Sequence, residues 1–270
     1  MSRIITITSG KGGVGKTTSS ASIATGLALQ GKKTVVIDFD IGLRNLDLIL
    51  GCERRVVYDF INVINKEATL NQALIRDKRT KNLFLLPASQ TRDKDSLTKS
   101  GVEQVLEMLL KMNFDFIICD SPAGIENGAI LAFYFSDEVI VVTNPEISSI
   151  RDADRILGII SSKSQRSEHS DTPIKEYLLL NRYNSNKVKQ GDMLSTEDVT
   201  DILQIPLIGI VPEDSAVLKS SNQGLAVILD TKSIAGQAYF DTVQRLLGIN
   251  IPLRFFLEEK KSFLQWLFRR

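Results

Sequence analysis

Apolar, β-branched runs alternate with longer stretches of helical periodicity over most of this 270-residue chain. The runs fall at Ile4–Thr8, Thr34–Asp38, Leu83–Pro87, Phe116–Asp120, Glu138–Thr143, Tyr177–Asn181 and Leu207–Val211. Strands that are apolar throughout have both faces covered, which predicts a mostly parallel sheet between helical layers. Helical patterns occupy Lys16–Gln30, Ser100–Met112, Ser148–Ser162, Thr196–Leu203 and Ser233–Leu247. The expected fold is α/β, a twisted sheet with helices on both faces. No internal repeat or Pro- or Ser-rich linker interrupts this order, so residues 1–248 are expected to form one domain. Gly248 then ends the last helix, residues 249–253 make a short linker, and the pattern changes at 254.

In residues 254–270 the spacing fits an amphipathic helix. Phe256, Phe263, Leu264 and Leu267 share one face, flanked by Trp266 and Phe268. Lys261, Gln265 and Arg269 lie opposite, and Lys260 near the apolar face would turn its ammonium outward. Five basic side chains stand against two acidic ones here, while the whole chain has a formal net charge of +1. Aromatic and basic residues clustered after a Pro-containing break predict a helix lying in the plane of an anionic membrane. Phe256, Lys260, Lys261, Phe263, Leu264, Trp266, Leu267 and Phe268 are its expected contacts. No apolar run is long enough to span a bilayer.

Composition narrows the alternatives. With 33 Lys and Arg against 32 Asp and Glu, attraction of the whole surface to nucleic acid is not expected. Cys52 and Cys119 are far apart, and Cys119 lies inside an apolar run, as buried thiols of a reducing compartment would. His169, the sole histidine, sits in a polar stretch, 164–172, expected to be a loop; a His-rich metal site is excluded. The strand at Ile4 runs straight into the motif described next, without the pattern of a signal peptide, which predicts a cytoplasmic protein.

The motif is Ser9-Gly10-Lys11-Gly12-Gly13-Val14-Gly15-Lys16-Thr17-Thr18. It is a phosphate-binding loop: backbone N–H groups close around phosphate oxygens, and the following helix points its positive end at them. Lys16 supplies charge to the β- and γ-phosphates, and the Thr17 hydroxyl is placed for Mg2+. Gly10, Gly12, Gly13, Val14, Gly15 and Thr18 complete the loop, and Lys11 is a second lysine that such a loop does not require. Two strands end in acids, Asp38-Phe39-Asp40 and Cys119-Asp120. At the carboxyl edge of a parallel sheet these carboxylates emerge beside the loop. Asp120 takes the position of an acid that holds Mg2+ directly or through water. Asp38 and Asp40 offer one carboxylate near the metal and one to orient an attacking water.

The loop with Lys11, Asp38-Phe39-Asp40 and Asp120-Ser121-Pro122-Ala123-Gly124 together resemble the deviant Walker A (SIMIBI class) P-loop ATPases of the ParA/MinD family. Within it the chain resembles the membrane-associated division-site branch, through Ile41-Gly42-Leu43-Arg44-Asn45-Leu46-Asp47, Cys52-Glu53-Arg54-Arg55 and Pro87-Ala88-Ser89-Gln90-Thr91-Arg92 and on to the tail. The resemblance implies ATP and Mg2+ as cofactors. It implies an ATP-bound homodimer in which Lys11 crosses to the partner's nucleotide, with Lys16 and Thr17 acting in cis. Asp40 would orient water, Thr17, Asp38 and Asp120 would serve the metal, and Asn181, Arg182, Pro212 and Glu213 would contact adenine. It implies a MinC-like division inhibitor and a MinE-like activator of hydrolysis, meeting Arg44, Asn45, Glu126, Asp152 and Asp154. The protein would cycle between cytoplasm and inner membrane and place the division septum. The alternatives are a ParA-type DNA-partitioning ATPase, which would be expected to carry a basic DNA-binding surface, and a nucleotide-gated scaffold without significant hydrolysis. An iron–sulfur carrier would need a C-x-x-C pair, and a tyrosine kinase of the class a tyrosine-rich tail; neither is present.

Overall fold

The computed structural model of the protein describes residues 2–169 and 172–254. Eight strands form one sheet: β1 (Arg3–Thr8), β2 (Thr34–Asp38), β3 (Ile75–Arg76), β4 (Leu83–Leu86), β5 (Phe116–Asp120), β6 (Glu138–Thr143), β7 (Lys175–Tyr183) and β8 (Leu207–Pro212). Their order across the sheet is β3-β4-β2-β5-β1-β6-β7-β8, and every neighbouring pair is parallel except β3–β4. The predicted strands all form. β3 was not foreseen because it is two residues long, and only Ile75 of the two is buried; a pair that short has no periodicity to detect.

The longer helices are α1 (Lys16–Leu29), α2 (Lys99–Lys111), α3 (Asn127–Tyr134), α4 (Ile147–Lys163), α5 (Thr196–Leu203), α6 (Ser215–Asn222) and α7 (Ile234–Leu246). α3 is apolar along nearly its whole length and α6 fully buries only Ser220, so neither shows a clear apolar stripe, and the sequence pattern passed over them. α5 begins with a reciprocal cap, Ser195 accepting from the Asp198 N–H while the Asp198 carboxylate accepts from the Ser195 N–H. α1 is almost entirely buried and rich in Ser, Thr, Ala and Gly. The small residues let α7 and the turn at Val227–Leu229 approach closely: a Cβ on Gly26 would stand 2.7 Å from Val243 of α7 and 2.6 Å from Ile228 of the turn. One correction concerns His169. The stretch expected to be a loop holds a short helix, Gln165–His169, started by reciprocal Ser164–Ser167 hydrogen bonds.

At the end of the described chain, Gly248 lies in the left-handed region (φ 85°) and closes α7, with the Ile249 N–H bonded back to the Gln244 carbonyl. Residues 249–254 then pack against the domain. The Arg245 guanidinium donates to the carbonyls of Ile208, Ile251 and Pro252, and Leu253 rests on the core cluster that contains Leu203 and Ile210. Arg254 makes a two-point ion pair with the buried Asp241, at 2.5 and 2.9 Å, and donates to Gln237. Phe256, Lys260, Lys261, Phe263, Leu264, Trp266, Leu267 and Phe268 lie outside the described residues. Among the described residues no helix is long and apolar enough to cross a membrane.

Candidate nucleotide site

The phosphate loop leaves the carboxyl end of β1 and enters α1 at Gly15, whose φ of 100° puts it in the left-handed region. A Cβ there would also stand 2.2 Å from the Asn181 amide nitrogen, so glycine is required on two grounds. That amide donates to the Val14 carbonyl at 2.7 Å. Asn181, expected from the sequence to contact adenine, braces the loop from β7. Gly10 is fixed by contact: a Cβ would lie 2.0 Å from the Asp152 carbonyl oxygen of α4.

Lys16 is buried and folds back over the loop, donating to Ser9 Oγ at 2.9 Å and to the Lys11 carbonyl at 3.4 Å. Burial lowers its pKa, and the carboxylates of Asp120 and Asp40 oppose that shift. Lys11 is half-exposed and reaches the first turn of α4, near Ser148 Oγ (3.1 Å), Ser149 Oγ (3.4 Å) and Glu146 (3.5 Å).

Asp38 and Asp120 are register partners across β2 and β5, and both are buried. Asp38 accepts from the N–H groups of Asp40 (2.9 Å) and Leu46 (3.3 Å), which closes the loop between β2 and the next turn around it. Asp120 accepts from Ser20 Oγ at 2.7 Å and from the Thr17 hydroxyl. Burial raises both pKa values: Asp38 well above the carboxylate range, further lifted by Asp120, and Asp120 from 3.8 to about 6. Asp40 is partly exposed, and its pKa is raised by burial against the pull of Lys16 and Lys94.

Two carboxylates and a hydroxyl are a hard oxygen set suited to Mg2+, which ordinarily takes one or two carboxylates and completes its shell with phosphates and water. Among the described residues no three acidic, His or Cys side chains form a self-sufficient metal cage.

The raised Asp120 pKa predicts how the nucleotide-free protein responds to pH. Between about pH 4 and 6 the folded state holds more protons than the unfolded one, so this group's contribution to stability falls as pH rises. Asp120→Asn should gain stability over wild type between pH 5 and 7.5, by a few degrees in melting temperature; equal gaps at both pH values in thermal melts would refute this.

Beside the loop opens a cleft of about 320 Å3, lined by Gly15, Thr18, Asn181, Arg182, Pro212 and Glu213. α6 and α7 add Val217, Leu218 and Tyr239, which sequence reasoning missed. The α6 pair needed that helix to be recognised. Tyr239 carried a weak signal, a lone polar-tipped aromatic on a helix; its hydroxyl is 2.9 Å from Ser19 Oγ in α1. Of the residues assigned to partners, Asn45, Glu126 and Asp154 are exposed and Asp152 is partly so. Arg44 is largely covered: its backbone is left-handed (φ 48°) and its guanidinium pairs at 2.9 Å with the fully buried Asp47.

An AAA domain family matches residues 2–171. The Septum site-determining protein MinD of Buchnera aphidicola subsp. Baizongia pistaciae is 74% identical over 270 residues, all of both chains. The chain belongs to the MinD family of septum site-determining ATPases. MinD in the MinC:MinD cell division protein complex of Aquifex aeolicus is 43% identical, with a TM-score of 0.83 over 97% of this chain and all of that one. MinD of Pyrococcus horikoshii, complexed with Mg-ADP, is 29% identical, with a TM-score of 0.79 over 91% of this chain and 96% of that one. The sheet, phosphate loop and acidic strand ends described above are thus those of a MinD-family P-loop ATPase.

Proposed function

We propose that this chain hydrolyses ATP with Mg2+, dimerises when ATP is bound, and resides on the inner membrane surface only in that state. The observation that carries the reading is the convergence of Lys16, Asp38, Asp40 and Asp120 at one sheet edge, with Lys11 held beside them. The loop N–H groups and Lys16 would hold the phosphates, turning Lys16 from Ser9 toward the nucleotide. Thr17, Asp38 and Asp120 would hold Mg2+, which when bound neutralises charge on the β- and γ-phosphates. Asp40, more exposed than the other two acids, would orient water in line with the γ-phosphate. Lys11 would leave α4 and reach a second subunit's nucleotide, so that part of the charge needed for hydrolysis arrives with dimerisation. The neighbours' Mg-ADP and MinC support the cofactor assignment and a division-inhibitor partner. Because Lys11 touches the first turn of the helix that carries Asp152 and Asp154, an activator bound there would act on the same lysine.

Membrane residence rests on the sequence of the tail. A large apolar side chain contributes at most roughly 1.5–3 kcal/mol when fully buried, and ordering the segment costs roughly 1–2 kcal/mol per residue. One tail binds marginally. Two tails joined by the dimer gain ~10²–10⁴-fold through effective concentration. Co-sedimentation with anionic vesicles in ATP, ADP and no nucleotide tests this, with binding expected in ATP alone. Leu267→Glu should abolish that binding and leave ATP affinity unchanged; sedimentation equal to wild type would remove the tail from the account.

A further inference from the structure

A second feature carries charge that the nucleotide site and the tail do not use. Arg54, Arg55, Arg76, Lys78, Arg79 and Lys81 gather on the short turn at 53–55 and on the β3–β4 hairpin. The two segments are joined, since the Arg55 guanidinium donates to the Arg76 carbonyl at 2.8 Å. Arg76 in turn donates to the Lys81 carbonyl, and Arg79 to the Gly224 carbonyl. Three of the arginines are thus oriented by backbone carbonyls, which leaves their charge uncancelled. Among the described residues, Arg55, Arg76, Lys78, Arg79 and Lys81 have no carboxylate within ion-pair distance, and Arg54 has only Glu53 at 3.9 Å. The nearby Asp77 is engaged by the N–H groups of Arg79 and Thr80 and shapes the turn. A cluster of this sign is unexpected on a chain whose net charge is +1.

Protection of a sheet edge is one ordinary use for such residues. β3 is two residues long, however, and too short to template pairing with another chain. Six cations on rigid elements exceed what that edge requires. Their position suggests another use. β3 is one edge of the sheet and β8 is the other. The chain leaves the domain at the β8 edge, where Arg245 bonds the Ile208 carbonyl and Arg254 is clasped by Asp241. Seven strand spacings separate the two edges, about 34 Å at 4.8 Å each. The hairpin turn also lies at the amino end of β4, away from the nucleotide edge, so ATP-dependent pairing at that edge would leave it open.

We infer that this hairpin cluster is a second contact for anionic phospholipid headgroups, working with the tail at the opposite edge. This rests on the membrane reading above. Two contacts at the ends of the sheet fix how the protein lies on the bilayer, which a single anchor does not. Guanidinium and ammonium groups near an anionic surface recognise phosphate as charge, without a specific pocket.

The test is co-sedimentation, in ATP, with vesicles of mixed phosphatidylglycerol and phosphatidylcholine across a salt series. The variant Arg54→Gln, Lys78→Gln, Lys81→Gln changes exposed side chains that brace no backbone. It should lose about tenfold or more in vesicle affinity and bind with a shallower salt dependence, since each basic group near such a surface matters severalfold. Unstimulated ATP turnover should match wild type, and Lys78→Arg with Lys81→Arg should bind as wild type does. If the triple variant binds vesicles like wild type while Leu267→Glu does not bind, the hairpin contact is overturned and the membrane reading stands. If wild-type protein ignores vesicles in every nucleotide state, both fall. If the triple variant keeps vesicle affinity but loses salt-sensitive binding to duplex DNA, the cluster is a nucleic-acid surface and the lipid assignment is wrong.

Discussion

Lys16→Ala is expected to abolish ATP binding, and with it every ATP-dependent property of the protein. The ammonium is buried and held by Ser9 Oγ and a loop carbonyl, and burial disfavours its charge. What makes a buried lysine worth keeping is a polyphosphate that it neutralises when bound. A charge-assisted hydrogen bond of this kind contributes about 1.5–3 kcal/mol, and loss of the ammonium leaves the γ-phosphate opposite Asp38, Asp40 and Asp120. The lost neutralisation of phosphate charge puts the fall in affinity at about 100-fold. Equilibrium binding of a fluorescent ATP analogue measures the first effect and light scattering in ATP the second. Dimerisation comparable to wild type would show that the loop does not control assembly.

Asp40→Ala is the complementary case. Asp40 is the most exposed of the three acids, and Lys16 and Lys94 favour its ionised form against burial. It stands outside the register pair Asp38 and Asp120, the acids proposed for the metal. Removing it should leave ATP binding within a few-fold and permit dimerisation, while turnover falls by about 10²–10⁴, the range for loss of a positioned general base or water-orienting group. The variant should accumulate as an ATP-bound dimer on vesicles. Single-turnover hydrolysis at the wild-type rate would remove Asp40 from the chemistry.

Much of the site was legible because its parts lie at strand ends, where an apolar run fixes the boundary and the next residue is necessarily at the carboxyl edge. Asp38 and Asp120 could be placed together that way before any coordinates, and their register pairing follows from β2 and β5 being neighbours. The other wall of the cleft was not legible. Tyr239 is brought to Ser19 by the packing of α7 on α1, a contact across 220 residues that no local pattern encodes. The setting of Arg44 was not legible for a similar reason. A charged residue in a polar loop looks exposed, yet its left-handed backbone turns the side chain onto the buried Asp47. The fold followed the apolar pattern closely, except at β3, which is two residues long, and at α3 and α6, which carry no clear apolar stripe.

The grip of Arg245 and Asp241 on residues 249–254 has a mechanical consequence. Left as flexible coil, six residues would let the following segment wander over about 13 Å. Fastened along α7, they contribute no slack, and the leash begins at a fixed post on a rigid helix. Shorter leashes search a smaller volume, so two of them on one dimer would find the same patch of bilayer more often. Asp241, assigned no part in the chemistry or in lipid contact, would then set how sharply a bound ATP is converted into time spent on the membrane.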